Sequence, residues 1–211
     1  MICFNLGMTN GFLDKAYNLE GNAATRTLYD AWSASYETEV AEHGYATPGR
    51  IARALHAHIP DTDTPILDFG CGTGLSGLAL KLAGFQTIDG VDISAEMLAI
   101  ARAKNLYRSL QQIDPDKETP FTTGDYHIIT AIGVIGAGAA PAPVFDTLMD
   151  LLPSGGYFAF SFNDHTLQDP QFEAKVNGYL EAGTARLLFQ EYGDHLPGIN
   201  MKSSIYIVVK S

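Results

Sequence analysis

The stretch Ile66-Leu67-Asp68-Phe69-Gly70-Cys71-Gly72-Thr73-Gly74 constrains this chain more than any other. Two apolar residues lead into Asp68, and glycines follow at every second position. Eighteen residues beyond Gly74 stands a second acid, Asp92, within Gly90-Val91-Asp92-Ile93-Ser94. A strand ending in an acid, a glycine turn, and a second strand ending in an acid form the layout of a pocket for an adenosine-type ligand. Glycines allow the ligand to approach backbone, and the second acid can hold ribose hydroxyls.

Charge selects the ligand. Gly72-Thr73-Gly74-Leu75-Ser76-Gly77 fits the G-x-G-x-x-G pattern of dinucleotide sites, a weak signal by itself. A pyrophosphate needs bare N–H groups and a positive helix N-terminus. Asp68, two residues before the first glycine, would place a carboxylate beside two phosphate charges. An acid there suits a ligand with a cationic amine. S-adenosyl-L-methionine (SAM) carries an ammonium, a sulfonium, a ribose diol and an adenine, and no phosphate. An NAD-dependent oxidoreductase is therefore the weaker enzyme reading. A glycine turn serving chain geometry alone explains neither acid.

The stretch closely resembles motif I of the class I SAM-dependent methyltransferases, and Asp92 resembles their ribose-binding acid. The resemblance covers roughly residues 26–211. Within it, Tyr29-Asp30-Ala31-Trp32, Tyr36, Gly44-Tyr45 and Pro48 are similar to the N-terminal segment of a narrower methyltransferase-like group, related to the Williams–Beuren syndrome region product.

The pattern along the chain points to an α/β fold. Tyr29, Trp32, Tyr36 and Val40 recur at helical spacing and predict a helix over residues 23–42. Thr47 reads as an N-cap with Pro48 at the first helical position, opening a helix to about His58. A short helix is expected near Leu13–Tyr17. From Ile66 onward strands and helices alternate, which argues for a parallel sheet. The strands are expected at 66–69, 86–91, 109–113, 127–132, 157–162, 186–192 and 203–209. Helices are expected at 76–82, after a Ser94 cap, at 144–152 and at 172–180. The connection Gly193–Gly198 is too short for a helix, so the final strand should run antiparallel. The family resemblance implies a Rossmann-like three-layer sandwich with strand order 3-2-1-4-5-7-6. Residues 1–60 are read as a helical cap segment, with 1–48 as a lid, and 61–211 as the SAM-binding domain of one globular unit.

Site expectations follow residue by residue. Asp68 should hold the methionine ammonium, directly or through water. Gly70, Gly72 and Gly74 should let backbone approach the ligand, with Cys71 and Thr73 offering N–H groups. The Cys71 thiol itself reads as inert filler. Asp92 should accept both ribose hydroxyls, with Ile93 and Met97 on the adenine faces; Met97 fits ordinary core packing equally well. By resemblance Asp114 accepts the adenine amino group, Ile132 and Gly133 lie near the sulfur, and Tyr36 touches SAM. One departure stands out: the residue after Asp114 is Pro115, which has no N–H to give the adenine ring. No catalytic base is identifiable. Candidates are Tyr29, Tyr36, His43 and Tyr45 in the N-terminal segment, Asn163 and His165 after strand five, and Tyr192 and His195 in the last hairpin. Ligands bind at strand carboxyl ends in such sheets, which favours Asn163 and His165.

Composition narrows the partners. The net charge is −11, and the densest basic group is Arg102, Lys104 and Arg108. A phosphate-binding surface needs clustered Lys and Arg, so a nucleic-acid substrate is disfavoured. Ala131-Ile132-Gly133-Val134 also lacks the prolines and aromatic that amino-methylating DNA enzymes carry after strand four. Cys3 and Cys71 imply neither a disulfide framework nor a zinc site, and no metal is expected. No signal peptide or membrane span is evident, so a cytoplasmic monomer or homodimer is expected. The functional expectation is methyl transfer from SAM to a small-molecule acceptor, with a non-catalytic SAM-binding module as the reading from another class.

Overall fold

The computed structural model describes residues 21–59, 61–136 and 138–211. The short helix expected near Leu13–Tyr17 lies outside the described residues. Helix α1 (Asn22–Glu42) and helix α2 (Thr47–His58) precede the alternating part. Then follow β1 (Ile66–Phe69), α3 (Leu75–Leu82), β2 (Ile88–Asp92), α4 (Ala95–Ala103), β3 (Ser109–Gln112) and β4 (Ile128–Ala131). The chain continues through α5 (Pro143–Leu151), β5 (Tyr157–Asn163), α6 (Asp164–Leu167), α7 (Pro170–Glu181), β6 (Ala185–Leu196) and β7 (Met201–Lys210).

The strands form one sheet in the order β3-β2-β1-β4-β5-β7-β6. Pairings from β3 through β5 are parallel, and β7 runs antiparallel to both β5 and β6. The expected order and the single reversed strand are both present. Alternation sets the two faces. Leu67, Ile129, Phe158, Phe160, Phe162, Tyr206 and Val208 face one core with Phe145, Met149 and Phe172 of α5 and α7. Ile66, Ile128, Ala159, Ile205 and Ile207 face the other, with Ile51 and Leu55 of α2 and Leu80 of α3. Helix α2 thus belongs to the sandwich, while α1 lies along α4. Among the described residues no helix is long and apolar enough to cross a membrane.

Three local expectations need correction. Thr47 is the first residue of α2, not its cap: Ala46 precedes it, and the Thr47 hydroxyl is turned inward to His195 and Ser203. The last hairpin is longer than periodicity suggested. Strand β6 continues through Gly193-Asp194-His195-Leu196, and only a 3-10 turn over Pro197–Ile199 joins it to β7. Backbone pairing with β7 carries those polar residues through. Helix α6 was not foreseen; the Asn163 side chain caps it by accepting from Thr166 N–H at 3.0 Å.

Candidate functional site

A cavity of about 270 Å³ opens where the carboxyl ends of β1, β2 and β4 meet α1 and the loop after β3. Its floor is the glycine turn. Gly70 has φ +70°, a conformation in which a side chain is strained, and a Cβ there would come within 2.5 Å of Val134. Gly72 has φ +52°, and the space above its Cα is open to 4 Å. That open space is part of the cavity, so a side chain at Gly72 would fill it.

Asp92 stands at the end of β2 with each carboxylate oxygen fixed by one backbone donor. Gly72 N–H donates to Oδ2 at 2.8 Å and Ser94 N–H to Oδ1 at 2.9 Å. Each oxygen retains a second lone pair, and the residue lines the cavity. Burial pushes its carboxyl above the usual range, with the Ser94 and Gly72 N–H groups pulling the other way. Ser94 caps α4 as expected, accepting from Met97 N–H at 3.1 Å while its hydroxyl donates to Asp30 of α1.

Asp68 is not on the cavity wall. It is 1% exposed, and three hydroxyls donate to it: Ser76 at 2.6 Å, Tyr107 at 2.8 Å and Thr130 at 2.8 Å. Burial raises its pKa against those three hydrogen bonds. Ser76 does line the cavity, and its proton is committed to Asp68. The Ser76 oxygen therefore faces the ligand as an acceptor backed by the Asp68 charge. Asp68 thus borders the cavity only through this hydroxyl.

Tyr107 was missed by sequence reasoning. Its hydroxyl donates to Asp68 and accepts from Gly77 N–H at 3.1 Å. A Cβ at Gly77 or Gly90 would run into its ring, and one at Gly74 would crowd it at 3.2 Å. Gly74 is therefore needed for Tyr107 and for opening α3 with φ +93°, and it is not among the residues lining the cavity. Glycines on two different elements that yield to one aromatic were the available signal.

Most other expected residues meet in the cavity: Tyr36, Gly70, Cys71, Thr73, Ile93, Met97, Asp114, Ile132 and Gly133 all line it. Cys71 cannot offer its N–H, which donates to Val91 O at 3.0 Å. Its thiol is buried, and burial followed by the Asp68 and Asp92 charges pushes its pKa well up, which makes it unreactive. Thr73 is 1% exposed, and its hydroxyl has no partner among the described residues. Asp114 accepts from Asp116 N–H at 3.2 Å and pairs with Arg26 at 3.6 Å and Lys117 at 3.4 Å. These contacts, the Asp116 N–H first, hold its carboxyl below the usual range. With Pro115 lacking an N–H and the Asp116 N–H turned to Asp114, neither residue after Asp114 donates to a ring in the cavity.

A second cavity of about 60 Å³ adjoins the first, sharing Tyr29, Tyr36, Tyr45, Gly133 and Ala139 with it. Asn163 and His195 line this smaller space. His165 does not: it is exposed on α6 and borders neither cavity. The periodicity ending β5 at Phe162 hid the short helix that carries His165 outward. Of the basic group noted in the sequence, Lys104 pairs with Glu37 and Arg108 with Asp89, while Arg102 is exposed.

The site fits SAM on the chain's own geometry. An open cradle over Gly72, an acid with two fixed oxygens, an orphaned Thr73 hydroxyl and a Ser76 acceptor match a ligand with a diol and a cation. Comparison with known proteins agrees. The profile of the Methyltransferase domain family matches residues 42–196. Human methyltransferase-like protein 27 is 30% identical over 143 residues, 66% of this chain and 58% of that protein. The yeast 18S rRNA (guanine(1575)-N(7))-methyltransferase is 33% identical over 128 residues, 54% of this chain and 46% of that one. Among solved structures, the Haloferax volcanii complex of the Trm112 methyltransferase activator with its methyltransferase aligns with TM-score 0.68 and 17% identity, covering 88% of this chain and 97% of that chain. The chain belongs to the class I SAM-dependent methyltransferases, whose cofactor is S-adenosylmethionine. It spans about half the length of the curated relatives it matches.

Proposed function

We propose that this protein transfers a methyl group from SAM to a small-molecule acceptor. The observation that carries the reading is Asp92, whose two oxygens are each fixed by one N–H and face the open cradle above Gly72. That pair suits a vicinal diol. Ile93 and Met97 would flank the adenine, and the Ser76 oxygen and the Thr73 hydroxyl would take the methionine end. SAM, when bound, supplies a carbon already activated by its sulfonium. The chain's task is then to place an acceptor in line and keep water out, and positioning alone can supply much of the rate. Tyr36, Tyr45 and Gly133, common to both cavities, would stand at the junction where cofactor and acceptor meet.

A small acceptor is supported by the small size of the second cavity, about 60 Å³, and by the engagement of Lys104 with Glu37 and of Arg108 with Asp89. The yeast relative's name specifies an rRNA substrate, so the chain's acidity does not by itself exclude nucleic acid. The cytoplasmic location remains part of the same reading.

Turnover tests this reading. Purified protein given SAM and a library of small neutral acceptors should release S-adenosylhomocysteine, and Asp92→Ala should slow release at sub-saturating SAM by roughly 5- to 150-fold. Tight SAM binding with no turnover on small molecules or on RNA would make the chain a SAM-binding module instead.

A further inference from the structure

The small cavity beside the cofactor site brings three hydrogen-bond donors together. Its described lining contains no Asp, Glu, Lys or Arg. Three polar groups in it have their acceptor capacity engaged from within the protein. Asn163 Oδ1 receives both the N–H and the hydroxyl of Thr166, each at 3.0 Å, which leaves its NH2 for the cavity. Ser161 Oγ receives Gly133 N–H at 2.9 Å, leaving its own proton to donate. His195 is set by a longer chain of bonds.

That chain begins at Arg50, which can only donate. Its Nη1 donates to Ser203 Oγ at 3.1 Å. Ser203 Oγ lies 2.9 Å from Thr47 Oγ1, which lies 2.8 Å from His195 Nδ1. Three proton arrangements are possible; the one in which Thr47 accepts from both Nδ1 and Ser203 leaves the proton of Thr47, which is fully buried, without an acceptor among these partners. In a second, Ser203 donates to Thr47, Thr47 donates to Nδ1, and every proton in the relay has an acceptor. In the reverse, Nδ1–H donates to Thr47 and Thr47 donates to Ser203. Ser203 then receives two bonds, and its own proton has no acceptor among the described residues. Ser203 is fully buried, so the reverse direction carries the cost of an unsatisfied donor. The charge on Arg50 therefore fixes the direction, and His195 is a neutral imidazole with its proton on Nε2. Burial, with the nearby Arg50 and His165 charges and against the pull of Asp164, holds its pKa near 4, in keeping with a neutral ring.

We infer that this cavity is the acceptor subsite and that it recognises an uncharged molecule through a carbonyl-type oxygen, received by His195 Nε2–H and Asn163 NH2. The inference rests on the larger cavity being the SAM site. A carboxylate would enter without a cation to pair with, at a desolvation penalty the site does not offset, and an ammonium has no lone pair to receive the His195 and Asn163 donors. The rings of Tyr29, Trp32, Tyr36 and Tyr45 line the rest of the space. His195 then orients and polarises the acceptor and is not the general base, because Nδ1 is engaged and Nε2 is protonated.

The test is 15N NMR of the histidine ring nitrogens in the full chain, with acetophenone, benzoate and benzylammonium as probes. Free protein should show His195 with Nε2 protonated and Nδ1 bare from about pH 5.5 to about pH 8. Acetophenone should shift its Nε2 signal, and the two charged probes should not. Thr47→Val, near-isosteric and lacking the relay hydroxyl, should let the Nδ1–H tautomer appear and weaken acetophenone binding roughly five- to tenfold, one hydrogen bond's worth. Thr47→Ser should restore both. An Nδ1–H tautomer or an imidazolium at neutral pH in the unaltered protein would overturn the inference, as would equal response to all three probes. Calorimetry with SAM on the same samples separates the two claims. SAM binding with the wrong tautomer defeats only the subsite. The right tautomer and acetophenone selectivity without SAM binding defeats the cofactor reading and, with it, the role as methyl acceptor site.

Discussion

Asp92 and His195 make the sharpest demands on individual side chains. Truncating Asp92→Ala leaves the Gly72 and Ser94 N–H groups without their acceptor and removes both oxygens from the cavity. SAM affinity should fall by roughly 1–3 kcal/mol, measured by calorimetry on a folded variant; unchanged affinity would remove Asp92 from the ribose role. His195 predicts a pH dependence of stability. Its ordinary pKa of 6.5 applies when unfolded, against about 4 when folded. Between those values the unfolded chain holds a proton that the folded chain does not, so stability is fully present above pH 6.5 and falls as pH drops toward 4. At pH 5 the loss from this group is about 2 kcal/mol. Asp68 and Asp92, raised by burial, act in the opposite sense, so the useful quantity is a difference. Urea unfolding at pH 7 and pH 5 should show a larger loss for the unaltered protein than for His195→Asn. Parallel losses would mean that His195 is not held neutral. Tyr107→Phe removes a donor from Asp68 and an acceptor from Gly77, and should cost about 1–3 kcal/mol of stability.

At the level of elements, α1 depends on its contacts more than on its own sequence. It starts at Gly21 with no side-chain cap, and it has no acid in its first turn and no base in its last. What holds it over the cavity is its buried stripe, Trp32 and Val40, and three polar anchors: Arg26 to Asp114, Asp30 to Ser94, and Glu37 to Lys104. Exposed pairs of this kind are each worth about 0.2–1 kcal/mol. Combining Arg26→Ala with Glu37→Ala should therefore leave the global unfolding midpoint nearly unchanged while speeding SAM dissociation several-fold in stopped-flow experiments. A large stability loss without a change in dissociation rate would show that α1 braces the fold and does not roof the site. The element scale also shows what the sequence could and could not convey. Strand β1 was legible to the residue, because Ile66–Phe69 is an apolar run between turn signals. Helix α1 was legible from its aromatic spacing. The far end of β6 was not, because Gly193, Asp194 and His195 carry turn chemistry that pairing with β7 overrides. The role of Thr47 was hidden for a related reason: its partners lie 148 and 156 residues away.

For the whole molecule, the strand order places the ends of β1, β2 and β4 around one crevice and lets β5 and the β6–β7 hairpin wall the space beside it. The cofactor half was written locally, within 27 residues from Ile66 to Asp92, and was therefore readable. The acceptor half is assembled from α1, the start of α2, the end of β5 and the hairpin, and no local pattern announces it. Within the readable half, the motif leaves open whether Asp68 acts directly or through an intermediary. The motif fixes where the acid stands, but the three hydroxyls that enclose it come from α3, β4 and the turn before β3.

The central claim is that an acid-bearing glycine turn selects a cationic, phosphate-free adenosine ligand. Calorimetric titration of the purified protein with SAM, S-adenosylhomocysteine and NAD tests it most directly. Micromolar binding of the first two with none of NAD is the predicted result; binding of NAD alone would contradict the account.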